Sequence, residues 1–334
     1  MHCFEYGRGQ QPELEKYCTS VSYYKRNNSF VALVSHLPYI VSSRKNEVLF
    51  KNLLKDNYPV LLEGIHCTYY LYKGALQNRK VIVRLHNVEY EYYRELAGSS
   101  RNFLNKIFYM IESLQLKKYE FNLANKAMFL AVNEKDRTTY QQTFHCKQIE
   151  FLPVFLPFQQ VKSKTGMGSF CLYQGNLSVP ENEKAVVWLL ENIFDKLDVE
   201  FVIAGKNPTK YLRDLIAKNK KVILIPNPSN QEMASLIENA HIHLLPSFNI
   251  TGIKIKLLNA LFKGRFIVTN HASVEGTNLE VLCTIAETPE EYKKAIQTLL
   301  NKDFTEEMIV QRNFVLQSKY DNKKNAIELI KLLF

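Results

Sequence analysis

Along the second half of the chain, short apolar runs alternate with stretches of helical spacing. "SFCLYQG" (169–175), "VEFVIAG" (199–205), "KVILI" (221–225), "HIHLLP" (241–246), "RFIVT" (265–269) and "VLCTIAE" (281–287) read as strands. Between them the spacing predicts helices over 180–194, after Pro208, over 229–239, after Gly252 and from about 288. Strands this short and uniformly apolar, each followed by a helix, describe a parallel sheet covered on both faces.

The first half repeats the theme less completely. "YPVLLEG" (58–64), "KVIVRLHN" (80–87), "AMFLAVN" (127–133) and "IEFLP" (149–153) read as strands, and 101–125 as one long helix with an aromatic and basic face. "PFQQVKSKTGMGS" (157–169) is polar and aperiodic and reads as a linker. The expected fold class is α/β, with two Rossmann-like doubly wound domains facing a cleft. The expected boundaries are 1–156, a linker over 157–169, a second domain over 170–304, and C-terminal helices over 305–334 packing back toward the first domain. Met1 leads straight into "HCFEYGRGQ", which already looks like a second strand. The first strand, loop and helix of such a domain are therefore expected to be missing.

Composition narrows the partners. The chain has 334 residues and a formal charge of +10. Residues 1–160 hold 21 Lys/Arg against 14 Asp/Glu, so the excess is concentrated there. A basic first half suits a phosphorylated ligand or an anionic membrane surface; nucleic acid would rest on net charge alone and is not expected. No run approaches a bilayer-spanning length. The six cysteines are scattered without a CxxC pair or clustered histidines, so they are expected to be reduced and mostly buried, with no structural metal.

The stretch "TGIKIKLLNALFKGRF" (251–266) poses an electrostatic puzzle. A helix N-terminus carries partial positive charge, yet this first turn holds lysines and no acid. Thr251 is expected as the N-cap and Gly264 as the residue closing the helix. Gly252, Lys256, Asn259 and Lys263 share one stripe, with Leu257, Leu258 and Leu261 opposite. An anion held by the free amides after Thr251, with a lysine adding charge, would resolve the puzzle. "YQGN" (173–176) and "AGKNP" (204–208) also place glycine just after a strand, and Lys206 could add a second positive charge.

These residues carry a resemblance. "LPSFNITGIKIKLLNALFKGRFIVTN", preceded by "YQGNLSVPENEKAVVWL" and "FVIAGKNP", is similar to the donor domain of retaining, family 4 glycosyltransferases of the two-Rossmann (GT-B) architecture. "RLHNVEYEYYRELA" (84–97), with "LQLKKYE" after it, resembles their acceptor-domain segment, particularly in bacterial enzymes for surface polysaccharide. The resemblance implies a nucleotide-diphosphate sugar as donor substrate, without a separate cofactor or metal. Its diphosphate would meet the amides of Gly252 and Ile253 and the ammonium of Lys256. Gly175, Asn176, Gly205, Lys206, Asn227, Pro228, Asn249, Thr251 and Asn259 would complete the donor side. His86 matches the histidine that approaches the donor sugar, so His86 and Lys256 are the candidate catalytic residues. Arg84, Glu89, Glu63 and His66 are placed on the acceptor side.

Two departures stand out. Asparagine occupies both positions where the family usually has glutamate, at Asn249 and Asn259. Asn259 offers one acceptor oxygen and a donor amide toward a ribose that would otherwise meet two acceptors. The function implied is hexose transfer to a glycan or lipid-linked acceptor, with retention, in cell-surface polysaccharide synthesis, in the cytoplasm or peripherally on the inner membrane. The alternative is a catalytically silent nucleotide-sugar-binding or scaffold protein derived from such an enzyme. An epimerase on the same architecture lacks a convincing carboxylate pair.

Overall fold

The structure, a computed structural model, describes residues 1–5, 9–28, 35–195, 197 and 199–334. Strands β1 (His2–Phe4) and β2 (Ser22–Tyr24) form a separate parallel pair. The rest of the strand-like "HCFEYGRGQ" includes residues 6–8, which lie outside the described residues. Strands β3 (Val60–Glu63), β4 (Val81–Arg84), β5 (Met128–Ala131) and β6 (Ile149–Phe151) make a four-stranded parallel sheet in that order. Its apolar residues, such as Val83, Leu85, Phe129 and Ala131, are wholly buried under covering helices. Those helices include α1 (Glu89–Ser99), α2 (Phe103–Leu123) and α3 (Glu134–Phe144).

The second sheet holds β7 (Cys171–Asn176), β8 (Phe201–Lys206), β9 (Val222–Pro226), β10 (Ile242–Leu244), β11 (Phe266–Thr269) and β12 (Thr284–Ile285). All pairings are parallel and the order is β12-β11-β10-β7-β8-β9. The chain runs outward one way from β7 and the other way from β10, so the topological switch lies between these two neighbours. Ligands in open parallel sheets bind outside the carboxyl ends at such a point. Helix α4 (Pro180–Asn192) follows β7 and α5 (Ile255–Lys263) follows β10, which brings both helix starts to the switch.

The two sheets face each other through their carboxyl-end loops. The turn at His86–Asn87 after β4 abuts Gly252, and the start of α3 abuts Gly276. Lys135 Nζ donates to the Ile250 carbonyl at 3.1 Å, and the Glu134 amide donates to the Gly276 carbonyl at 3.3 Å. A Cβ on Gly252 would lie 2.0 Å from Asn87 Oδ1, and one on Gly276 would lie 2.7 Å from Lys135 Cβ. Both glycines are left-handed, with φ of +64° and +73°. After α6 (Glu306–Tyr320), α7 (Asn322–Leu333) crosses back and packs Leu329, Leu332 and Leu333 against Ile82, Leu130 and Leu152 of the first sheet. This is the architecture the hydrophobic pattern predicts: α/β, with two parallel sheets facing a cleft.

The cysteine expectation needs a correction. All six are free, but only Cys146 and Cys171 are fully buried; Cys3, Cys18, Cys67 and Cys283 are half-buried. Their scatter excluded a pairing pattern without fixing how deep each one lies.

Candidate functional site

Helix α5 begins later than expected. Its N-cap is Lys254, not Thr251, and no side chain caps it. The reason lies in Asn249, whose Oδ1 accepts both the Thr251 amide (2.7 Å) and the Thr251 hydroxyl (2.8 Å). That local turn holds Thr251 outside the helix, so Gly252 and Ile253 belong to the loop before it. Gly264 closes the helix in extended backbone, with φ −91°, not in the left-handed conformation expected of a closing glycine. It is glycine for another reason: a Cβ there would lie 2.0 Å from the buried His243 ring.

The lysine puzzle is answered from other elements. Lys254 Nζ donates to the Thr251 carbonyl at 2.8 Å and stands 3.9 Å from the buried Glu181 carboxylate at the start of α4. Lys256 Nζ donates to the Tyr173 hydroxyl at 3.0 Å and to Asn182 Oδ1 at 2.9 Å, 4.8 Å from the Tyr173 ring centroid. The acid missing from the helix's own first turn is supplied by α4. Burial pushes the Lys256 pKa down to about 8, with Glu181 opposing the fall and Lys254 adding to it. Burial likewise lowers that of Lys254, against the pull of Glu181 and Asp136. The third proton of Lys256 has no partner among the described residues. The ammonium therefore sits at the switch point on groups of its own half, with one donor to spare.

The Gly252 amide has company from the first half. The carboxyl of Asp136, in the first turn of α3 and fully buried, faces this N–H. Burial raises the Asp136 pKa to about 7, although the Gly252 amide pulls it back. Neither carboxyl oxygen makes a hydrogen bond of good geometry. A carboxyl thus stands where an anion at this loop would have to sit.

The other donor-side candidates lie along the same sheet edge. Gly175 and Gly205 are register partners on β7 and β8, and a Cβ on Gly205 would meet the Gly175 carbonyl at 1.9 Å. Strand pairing by itself accounts for the glycine at 205. Asn176 accepts from the Ser178 amide and hydroxyl, and its carbonyl takes a bond from Asn182 Nδ2. Asn227, left-handed at φ +53°, accepts the Asn207 amide at 2.8 Å; Pro228 beside it is half-buried and Lys206 is exposed. Asn249 is 2% exposed; its side-chain oxygen accepts from Thr251 and its backbone bonds the Ser247 hydroxyl. Asn259, half-buried on α5, has no hydrogen-bond partner among the described residues.

On the first half, His86 Nε2 and Glu63 Oε2 are 2.9 Å apart, joining the ends of β4 and β3. Burial raises the Glu63 pKa, but the His86 hydrogen bond and the Arg84 charge outweigh it and leave the carboxylate below its ordinary value. Arg84 is buried, 3.5 Å from Glu63, donating to the Pro153 carbonyl and lying over Phe155. His66 lies with its ring 6.1 Å from that of His86, its pKa lowered to about 3 by burial and then by Arg44 and His86. Glu89 does not join this group at the surface. It is 6% exposed, with its pKa raised to about 7 by burial and an Asn87 contact opposing the rise.

Sequence reasoning missed Asp136, Glu181, Asn182 and Asn87. Glu181 and Asn182 stand in "PENEK", the helix start directly after a strand, and that placement was the available signal. Asp136 had only its position three residues after a helix-capping Asn133. A groove of 330 Å³ also bridges the halves, lined by residues including Arg101, Glu183, Lys184 and Trp188. Among the described residues no three His, Cys, Asp or Glu side chains group as metal ligands.

Known proteins share this fold. Residues 169–302 match the family model for glycosyl transferases group 1. A Klebsiella pneumoniae protein, described as an uncharacterized 44.6 kDa protein in the cps region, is 27% identical over 93% of this chain and 84% of its own length. Sucrose-phosphate synthase of Thermosynechococcus elongatus superposes with a TM-score of 0.70 at 10% identity, over 93% of this chain and 82% of that one. A mutant of S. aureus TarM, in complex with fondaparinux, alpha-GlcNAc-glycerol and UDP, superposes with a TM-score of 0.64 at 12% identity over 86% of this chain. The chain spans 58% of that protein's length. The chain therefore has the GT-B fold of group 1 (family 4) glycosyltransferases, and its residues 169–302 match the model of that family.

Proposed function

We propose that this protein transfers a hexose from a nucleotide-diphosphate sugar to a glycan or lipid-linked acceptor, with retention, in the synthesis of a cell-surface polysaccharide. The observation that carries the proposal is the Lys256 ammonium, fixed by Tyr173 and Asn182 at the switch point of the family-matching sheet with a donor unspent. The relative in a cps region supports the polysaccharide, and the UDP held by TarM supports the donor class.

In this reading the diphosphate displaces the Asp136 carboxyl from the Gly252 amide and takes the free proton of Lys256. Ionisation of the sugar breaks the bond from its anomeric carbon to the phosphate oxygen, and the electron pair leaves with the diphosphate. Fixed amides and the ammonium stabilise that charge as it develops. The acceptor oxygen then bonds to the anomeric carbon on the face just vacated, and its proton passes to a phosphate oxygen of the leaving group. His86, held by Glu63, approaches the sugar from the first half; His66 and Arg84 shape the acceptor side. The positive charge comes from the chain itself and not from a resident metal. The work is done in the cytoplasm, at the inner membrane's surface where the acceptor is lipid-linked.

A second reading, a silent nucleotide-sugar-binding scaffold, is favoured by one observation: the side-chain oxygen of Asn249 is spent on Thr251 of its own loop. Calorimetry against a panel of UDP- and GDP-sugars, followed by assay of sugar release and transfer, separates the two. Binding with turnover supports the transferase, binding without turnover the scaffold, and no binding removes both.

A further inference from the structure

The apolar side chains that the fold leaves in water are concentrated on α2. Phe103 and Leu104 are each 73% exposed, Leu114 is 65%, Phe121 54%, Ile111 52% and Ile107 42%. Their spacing of three, four and seven residues sets them on one face of the helix. The opposite face, with Glu112, Ser113, Leu116, Tyr119, Glu120 and Leu123, is buried against the first half. Phe108 and Tyr109, half-buried, continue the buried face toward the helix start, packed edge-on against Tyr39 and Tyr93. At the helical rise the run from Phe103 to Leu114 is about 17 Å long, and Phe121 follows about two turns on, beyond Lys117 and Lys118. Scattered exposed apolar residues need no explanation, but a run of this length on one face marks a contact surface.

Charge identifies what covers it. Lys106, Lys117 and Lys118 are exposed on the same helix, while both of its acids, Glu112 and Glu120, are buried. Every ionised group that α2 shows to solvent is therefore cationic. A second copy of the chain would set lysines against lysines around the seam. An anionic bilayer satisfies both halves of the pattern, because acyl chains take up the leucines and aromatic rings while phosphates meet the ammonium groups. No helix among the described residues is long and apolar enough to cross a membrane, so the contact lies in the plane of the headgroups. Arg101, just before the helix, already bridges to the second half, 3.8 Å from Glu183 and over the Tyr211 ring. The stripe therefore begins beside the groove between the halves.

We propose that the Phe103–Phe121 face of α2 is a docking surface for anionic lipid, on which the protein lies with this helix parallel to the membrane. The inference stands apart from the transferase reading, since it requires no donor and no turnover. Its test is co-sedimentation of the full chain with vesicles of phosphatidylethanolamine and phosphatidylglycerol, and with vesicles of phosphatidylcholine alone. The wild-type chain is expected to bind the anionic vesicles in preference, and less well as salt is raised. Leu104→Ser with Leu114→Ser is expected to weaken that binding about tenfold or more. Lys106→Gln, Lys117→Gln and Lys118→Gln together are expected to erase the preference for anionic lipid. Absence of anionic binding in the wild type, or wild-type binding in either variant, overturns the proposal. So does a dimer in light scattering that the double leucine variant dissolves, which would assign the face to a second copy.

Discussion

Lys256 on α5 lies 2.9 Å from Asn182 Oδ1 on α4, so two helices from different strands share one hydrogen bond at the switch point. The bond fixes an ammonium whose pKa burial has pushed down to about 8. An anion docking beside it favours the charged form, so affinity should be greatest where Lys256 is protonated and fall as pH rises through that value. We expect the dissociation constant for a bound nucleotide sugar to begin rising near pH 7, where the neighbouring Asp136 carboxyl ionises. Above about pH 8 it should rise more steeply, as Lys256 loses its proton. Lys256→Met should bind about tenfold to a hundredfold more weakly at neutral pH and lose the steeper rise. Calorimetric titration at several pH values checks both, and an unchanged pH profile in the variant would remove Lys256 from the site.

Gly252 offers a test of the seam between the halves. Its Cβ would collide with Asn87 Oδ1 and sit 2.9 Å from the His86 carbonyl, and its φ of +64° strains any side chain. Gly252→Ala should therefore cost about 1–3 kcal/mol of stability and displace the His86–Asn87 turn from the loop. Gly98 has open space around its missing Cβ and no left-handed backbone, so Gly98→Ala in helix α1 should be neutral or slightly stabilising. Thermal melts of the two variants side by side measure the contrast. Equal effects would mean that the seam yields freely.

What was legible in the sequence follows a physical division. Parallel strands buried on both faces must be short and apolar, so β7 through β11 could be read from pattern alone. Lys256 and Gly252 stood out as candidates because a glycine and lysines at a helix start contradict the helix's own electrostatics. The partners did not. Asp136 reaches Gly252 from α3 of the first half, and Glu181 reaches Lys254 from a helix more than seventy residues earlier. Neither contact leaves a trace in local spacing. The helix start was misplaced because Thr251 looks like a cap, while its amide and hydroxyl are both claimed by Asn249. Gly264 was assigned by local rule, yet its neighbour is the His243 ring from the adjacent strand.

The first half should be more stable in mild acid than in mild base. Burial raises the pKa of Glu89 and of Asp136 to about 7 and that of Glu120 to about 8. Glu120 accepts from the Tyr140 hydroxyl and from the Glu89 and Tyr90 amides at the start of α1, which eases its rise without cancelling it. Folded carboxyls thus hold protons that the unfolded chain has lost above about pH 4. Stability from this source is complete below that value and declines as pH climbs through the folded pKa values. The melting temperature, followed by circular dichroism, should fall between about pH 5.5 and 8.5. The fall should be shallower in Glu120→Gln, which has no proton to lose. A melting temperature that climbs across this range would contradict the assignment.

Arg312, on α6, makes the firmest prediction for the second half. Its buried guanidinium donates to the Leu261, Gly264 and Arg265 carbonyls and to Ser163 Oγ, at 2.6–3.3 Å. Leu261 and Gly264 are at the end of α5, where carbonyls lack helical partners and the helix dipole favours a cation. The same α5 carries Lys256 at its other end, so Arg312 anchors the helix that presents the ammonium. Burial lowers the Arg312 pKa to about 10, still far above neutrality, so the charge persists there. Arg312→Met would leave several buried carbonyls unpaired and should cost about 2–4 kcal/mol. Arg312→Lys keeps the charge but cannot spread donors over the same fork, and should fall between the two. The single tryptophan, Trp188, packs on Tyr292 and Phe248 inside this half, so its fluorescence reports unfolding there in a denaturant titration. If the methionine variant unfolds at the wild-type midpoint, α5 is held by its leucine face alone and the guanidinium is dispensable.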